Sequence, residues 1–325
     1  MDCMQIALNT YSVRNEYGKI GKIDGVIKIC NDLDITQVEF LDRHFSVKEF
    51  GWEPKPKDKS KSQPDLGESL EQFKEASIEV FSLGPHVRLL CGPDDVEDTI
   101  TQAKMWIDIC STYGIPMMRG SMTRDAGNLG RIWPPPPKDI YEDATEYEED
   151  LLDYMVQVDA ALDRISEVFD PVLRYADQKG VTICQETHHS YSSNWVFIGK
   201  VLEKYPTEHY GLAYDFGNYE NDELRYSMLE HCGTRVKYWH AKCYKFDDQG
   251  FETTLDYPKA VKINTDQGFD GNFSIEFEGK YNGVLGTYQT VELLKYSISK
   301  LHGEEYQIKT DFGKPKQLMK QVGLI

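Results

Sequence analysis

At 325 residues the chain is long enough for one barrel-sized domain or two smaller ones. With 54 acidic against 36 basic residues its net charge is −18, which argues against nucleic acid or an anionic membrane surface as a partner, since their phosphates are repelled at long range. No apolar run reaches membrane-spanning length, the N-terminus lacks the basic-then-apolar profile of a secretion signal, and seven scattered cysteines without a Cys-x-x-Cys pair suit reduced thiols in a cytoplasm.

Residues 4–10 read as a first strand, followed by Tyr11-Ser-Val-Arg14. Ile20 to Asp32 has helical spacing, with Ile23, Val26, Ile27 and Ile29 near one face. Ile35 to Phe40 reads as the second strand. The Lys- and Pro-rich stretch from Glu53 to Pro64 reads as a surface excursion, because strand–helix alternation resumes at once. Leu66 to Ala76 is helical, and Ile78 to Ser82 is the third strand, with His86 and Arg88 just beyond it. Asp94 to Tyr113 is a helix opened by an acidic turn suited to capping, and Ile115 to Arg119 is the fourth strand.

Ser121 to Asp150 departs from this rhythm, with Trp133 before four prolines and then an acidic run. Prolines stiffen a segment into extended geometry, so a lid or pocket wall and a surface insertion without a role are equal alternatives. Leu151 to Gln178 predicts a long amphipathic helix, in which Pro171 predicts a kink or a break and which Gly180 caps. Val181 to Cys184 is a fifth, β-branched strand that runs into Gln185-Glu-Thr-His-His189. A helix at Trp195 to Tyr205 follows, then strand six at Gly211 to Asp215 and a helix at Asp222 to Cys232. Arg235 to His240 is strand seven, continuing to Tyr244; Asn272 to Phe277 is strand eight; Thr290 to His302 is the last barrel helix. The expectation is α/β, a single (β/α)8 TIM barrel over residues 1–303, with an insertion at about 121–150 and a C-terminal extension at 304–325 that packs on the barrel or on a partner. A doubly wound sheet is the alternative, and it lacks an acid or histidine at successive strand ends.

Glu186, Asp215, His240 and Glu276 end, or nearly end, strands five to eight. In a barrel those ends converge on one mouth. Crowded carboxylates repel unless protons or a cation neutralise them. Three oxygen donors and an imidazole suit one fairly hard divalent ion, manganese foremost, then magnesium or cobalt; zinc, which prefers fewer ligands and more nitrogen or sulfur, is the softer alternative. No nucleotide cofactor is expected. Any one of these residues taken alone reads equally well as a salt-bridged barrel residue.

Gln185-Glu-Thr-His188, Tyr214-Asp-Phe-Gly-Asn218, His240-Ala-Lys242 and Gly271-Asn-Phe-Ser-Ile-Glu276 also resemble the motifs of the xylose-isomerase-like, endonuclease-IV-like superfamily of TIM barrels, over Gln5 to His302. The resemblance implies one divalent metal on Glu186, Asp215, His240 and Glu276, and a small-molecule sugar as substrate, which members isomerise, epimerise or dehydrate. Glu276 is preferred over Glu278, which shares its face, because it lies deeper and matches Ser-Ile-Glu. The chain departs from the nuclease members and the ketose 3-epimerases at Asn218, where both carry a histidine, and from the epimerases again on strand seven, which lacks their arginine.

A metal gripping a carbonyl and its neighbouring hydroxyl favours an enolate, and a base beside the α-carbon completes proton abstraction. His188 shares a face with Glu186 two residues earlier and is the candidate base, with a supporting hydrogen-bonding role as the alternative. Lys242 is a candidate to hold the enolate oxygen or the substrate, a salt bridge to the acids being the plainer option. His188, Glu186, Glu276 and Lys242 are thus the catalytic candidates, and His86, Arg88, Asn218, Trp133 and Tyr11 the substrate-binding ones. The resemblance extends to the catalytic α-subunits of bacterial C-glycoside deglycosidases, which implies a 3-oxo-C-glycoside losing its aglycone and a small β-subunit partner. Aromatic residues expected in mouth loops (Tyr11, Phe45, Trp52, Trp133, Trp195, Tyr244) suit a flat aglycone, or equally an oligomer surface. A keto-sugar or inosose isomerase, epimerase or dehydratase is the second reading, and a barrel that has lost catalysis and serves as a binding subunit is the third.

Overall fold

Apolar runs that need burial on both faces form the strands, and amphipathic segments between them cover the outside. The computed structural model describes residues 4–54, 63–122, 129–132, 135 and 143–323. In chain order the elements are β1 (Gln5–Asn9), α1 (Ile23–Leu33), β2 (Gln37–Leu41), α2 (Leu66–Glu75), β3 (Glu79–Gly84), β4 (Arg88–Leu90), α3 (Val96–Tyr113), β5 (Met117–Met122) and α4 (Ala144–Lys179). They continue with β6 (Thr182–Glu186), α5 (Trp195–Lys204), β7 (Tyr210–Asp215), α6 (Asp222–Cys232), β8 (Val236–Cys243), α7 (Tyr257–Asp266), β9 (Asn272–Phe277), α8 (Gly283–Leu301) and α9 (Gly313–Gln321). The strands are parallel in the order β3-β2-β1-β9-β8-β7-β6-β5, and β3 pairs with β5 through Ser82–Met117 and Leu83–Met118 to close the cylinder. The result is the expected (β/α)8 barrel.

Several elements differ from expectation. β4 is an extra short strand, absent from the expected set, that pairs with β5. α4 begins at Ala144, so the acidic run joins the helix; Asp143 Oδ1 caps it by accepting from the Thr145 amide at 2.7 Å, and Glu-rich sequence favours helix once capped. The helix then runs through Pro171 without a break. One lost backbone bond there costs about 3 kcal/mol, and Val168, Phe169, Val172 and Leu173 bury the same stripe on both sides of it, which offsets the loss. Gly180 ends α4 at φ 68°, the left-handed cap. Helix α7 was not expected at all. After α8 the chain packs back on the barrel: Phe312, Leu318 and Met319 are buried, and Lys314 Nζ lies 3.4 Å from Asp32. No helix among the described residues is long and apolar enough to cross a membrane, and the six described cysteines are buried free thiols.

α8 starts where the chain crosses the turn after β1 at close quarters. A Cβ on Gly283 would lie 1.9 Å from the Ser12 carbonyl oxygen, a backbone atom with no room to give. Gly199, inside α5, has nothing within 4 Å of that position. Gly283→Ala is therefore expected to lose about 1–3 kcal/mol or more of unfolding free energy, whereas Gly199→Ala gains about 0.5–1 kcal/mol from helix propensity. Urea denaturation of the two variants beside the parent checks both signs.

Candidate active site

Side chains alternate along a strand, so the barrel interior is built in layers. Ala7, Phe81, Cys184, Ala213 and Tyr238 pack together as an apolar floor. Two residues further along the same strands stand Asn9, Glu186, Asp215 and His240, and Glu276 follows the buried Ser274 in the same way. Each such step is about 7 Å toward the C-terminal mouth. Strand register sets Glu186 beside Ala213, Asp215 beside His240, and Lys242 beside Glu276. One ligand atom from each of Glu186, Asp215, His240 and Glu276 consequently lies within 4.8 Å of the others, all four side chains being buried.

His240 is at the centre. Its Nδ1 lies 3.1 Å from Glu186 Oε1, 3.0 Å from Glu276 Oε2 and 3.7 Å from Asp215 Oδ2. Its Nε2 lies 2.9 Å from Glu39 Oε2. Glu39, wholly buried on β2, also accepts from Asn9 Nδ2 at 3.0 Å, Ser274 Oγ at 2.9 Å and Tyr238 Oη at 3.1 Å. A single Nδ1 proton serves one of three carboxylates at a time. Asp215 Oδ2, buried, has no hydrogen-bond partner. Buried acceptor oxygens in excess of the protons available to them make a cation site, and this group can hold one divalent metal ion.

Cationic side chains brace the cluster from both sides. Arg119 on β5 reaches Glu186 from Nη1 at 3.3 Å. Lys242 Nζ lies 2.6 Å from Glu276, 2.9 Å from Glu278 and 3.2 Å from Asp215. Burial pushes the Glu186 carboxyl up, but the Arg119 guanidinium and the His240 ring outweigh it and hold the group at about 2. Burial likewise works against ionised Glu276, and Lys242 and His240 overcome it, leaving the carboxyl well below its usual range. Burial opposes charge on His240 and Lys242 too; Glu39 and Glu276 for the first, and Asp215 and Glu276 for the second, raise both well above their ordinary values.

Above the cluster lies a cavity of about 460 Å³ whose walls include Glu186, Glu276, Glu278, Lys242, His188 and Tyr11 on one side and Arg43, His86, Arg88 and Arg119 on the other. His188 follows β6 in a tight loop: its amide donates to Ser192 Oγ at 2.7 Å, and His189 and Ser190 sit at φ 60° and 50°, strained values for non-glycine residues. His189 turns away, 4.0 Å from Glu220. Tyr11 donates to Glu278 at 2.6 Å, and burial together with that carboxylate pushes its phenol up to about 12.

Not every expected residue faces this space. Asn218 is buried, and its amide donates to the Thr187 carbonyl at 3.4 Å, tying the loops after β6 and β7 together rather than lining the cavity. Trp133 lies outside the described residues. Phe45 and Trp52 pack edge-on against Trp106, Trp195 stacks on His231, and Tyr244 donates to the Gly217 carbonyl, so of the expected mouth aromatics described, Tyr11 is the one in the cavity wall. Sequence reasoning passed over Glu39, Arg119 and Arg43. The signal for the first two was a charged residue inside an otherwise apolar strand, Val38-Glu-Phe40 and Met117-Met-Arg119, which must find a partner in the barrel.

A model of the family described as xylose isomerase-like TIM barrel matches residues 27–297. No curated protein matches the chain. Among solved structures, a sugar phosphate isomerase/epimerase from Parabacteroides distasonis is similar at a TM-score of 0.61 and 15% identity, over 91% of this chain and 94% of that one. A xylose isomerase-like TIM barrel protein from Mycobacterium smegmatis in complex with magnesium gives 0.57 and 13%, over 92% and 98%. Mannonate dehydratase from Streptococcus suis gives 0.58 and 14%, over 95% and 99%. At these identities the likeness is one of fold.

Because Glu39 fixes the ring that faces the cluster, Glu39→Gln is expected to weaken divalent-metal binding, with Mn²⁺ as the probe, by about 10–100-fold while the folded protein persists. Calorimetric titration of parent and variant measures it. Run in buffers of different ionisation heat, the same titration should show about one proton released on binding at neutral pH, since His240 must give up its Nδ1 proton to become a ligand.

Proposed function

The chain belongs to the xylose isomerase-like TIM-barrel family, and from that premise we propose that it is a divalent-metal-dependent enzyme that removes a proton from the carbon next to the carbonyl of an oxidised sugar. The observation that carries the reading is that His188 lines one cavity together with Glu186 and Glu276, two members of the buried four-donor cluster. Glu186, Asp215, His240 and Glu276 would hold the ion, with Mn²⁺ foremost for this oxygen-rich set. Such an ion supplies Lewis-acid polarisation of a carbonyl and its neighbouring hydroxyl.

The protein's own groups do the rest. His188 takes the proton on its imidazole, at the mouth side of Glu186. Lys242 keeps Glu276 and Glu278 ionised and in place. Tyr11, which stays protonated through neutral pH, is placed to give its proton to a departing or newly anionic oxygen, with Glu278 holding the phenol in position. Return of the proton to the sugar makes the protein an isomerase or epimerase. Loss of a group β to the carbonyl, its bond breaking as the new C=C forms and its leaving atom (oxygen in a dehydration, the aryl carbon in a C-glycoside) taking up a proton, makes it a lyase. For the latter, Tyr11 offers one aromatic face to the aglycone of a 3-oxo-C-glycoside, and a small partner subunit belongs to that reading. The fold neighbours named mannonate dehydratase and sugar phosphate isomerase/epimerase support keeping both outcomes open.

His188→Asn is expected to lower solvent-deuterium uptake into a keto-sugar, or aglycone release from a 3-oxo-C-glycoside, by about 10²–10⁴-fold with Mn²⁺ affinity kept within a few fold. NMR of the sugar with metal-loaded protein in deuterium oxide, beside chromatography for free aglycone, reads both. Equal rates for parent and variant remove His188 as the base.

A further inference from the structure

The cavity is electrically divided. Acids line its β6–β9 side, and Lys242 and Arg119 are engaged with them. From β2 to β5 come Arg43, His86, Arg88 and Arg119, with no acid among the lining residues on that side. His86 is tied through Nδ1 to the buried Asp42 at 3.0 Å, and Arg119 to Glu186 at 3.3 Å with its buried Nε left without a hydrogen bond. Arg43 and Arg88 make no ion pair with any acid among the described residues. Arg43, half-buried, also has an unbonded buried Nε, and its guanidinium stands 5.3 Å above the centroid of the Tyr11 ring.

In a chain with 54 acids to 36 bases, two guanidinium groups on one cavity wall that pair with no acid among the described residues stand out, the one carboxylate behind that wall, Asp42, being taken up by His86. A partly desolvated arginine lacking an anion is costly, and its planar fork matches a carboxylate or phosphate through two parallel hydrogen bonds. Resting on the oxidised-sugar reading above, we infer that the substrate carries an acidic group, a carboxylate or a phosphate, which Arg43 and Arg88 receive on the β2–β5 side while the sugar carbonyl lies over the Glu186–Glu276 side. Arg119, braced by Glu186, adds positive potential between the two ends. The site thus takes a uronic- or aldonic-type acid or a sugar phosphate in preference to a neutral sugar.

Three ketoses that differ at one end test this: D-fructose, D-fructuronate and D-fructose 6-phosphate. Each is titrated by calorimetry into the metal-loaded, full-length protein and followed for deuterium uptake, beside a neutral 3-oxo-C-glycoside. At least one acidic ketose should bind about 10–100-fold more tightly than fructose, and whichever of the two leads identifies the anion as carboxylate or phosphate. The preference should fall toward unity in Arg88→Gln and Arg43→Gln, reverse in the exposed-site variant Arg88→Glu, and shrink as salt rises. Fructose or the neutral C-glycoside binding as tightly as both acids, or no measurable binding of either acid, overturns the inference. Deuterium uptake without an acid preference sinks the anion site and leaves enolisation standing. An arginine-dependent preference without deuterium uptake into any of them does the opposite.

Discussion

Everything around the mouth of this barrel depends on one imidazole held between opposing carboxylates. Glu39 takes Nε2 of His240 from below, and Glu186, Glu276 and Asp215 crowd Nδ1 from above. Four buried acids around one ring are tolerable only with positive charge to spare, and the fold supplies it in two fixed pieces, Arg119 from β5 and Lys242 from β8. Both stand at the edge of the cluster, and Asp215 Oδ2, 3.2 Å from Lys242, makes no hydrogen bond of its own. The cluster is pre-formed by β-strand register, not by loops, so the ligand atoms are held by the stiffest part of the molecule.

How far this was legible in the sequence depended on where each residue lay in its element. Glu186, Asp215, His240 and Glu276 stood out because each closes a short apolar run, and an ionisable group at the end of a buried strand has few plain explanations. Glu39 sits mid-strand with hydrophobic neighbours on both sides, and nothing local says that its partner is a histidine 201 positions away. Arg119 is hidden in the same manner. Arg43 follows the end of β2 in an ordinary polar turn, and only closure of the barrel brings it over Tyr11.

Helices were read less evenly. Helix α6 has the ends expected of it, and in the structure Asn221 caps its start by accepting from the Leu224 amide. Helix α7 buries Tyr257, Ala260, Val261 and Asn264 at helical spacing, but only three of these are apolar, and Asn264 is buried because it accepts from Trp239 Nε1 at 2.6 Å, a contact invisible until β8 is in place. Aromatic residues misled for the same reason. Phe45, Trp52 and Trp195 follow strand ends in sequence, yet they fill space between helices and loops on the outside of the barrel instead of its mouth.

The apolar floor has a further consequence for traffic. Phe81, Tyr238, Cys184, Ala213 and Ala7 plug the tube below the charged layer, with Tyr238 fully buried and also bonded to Glu39. Among the described residues this floor closes the barrel axis, so a molecule in the cavity does not pass through the barrel to its other end. While a molecule occupies the mouth, it is itself the stopper, and the privacy of the reacting centre lasts as long as its occupant stays.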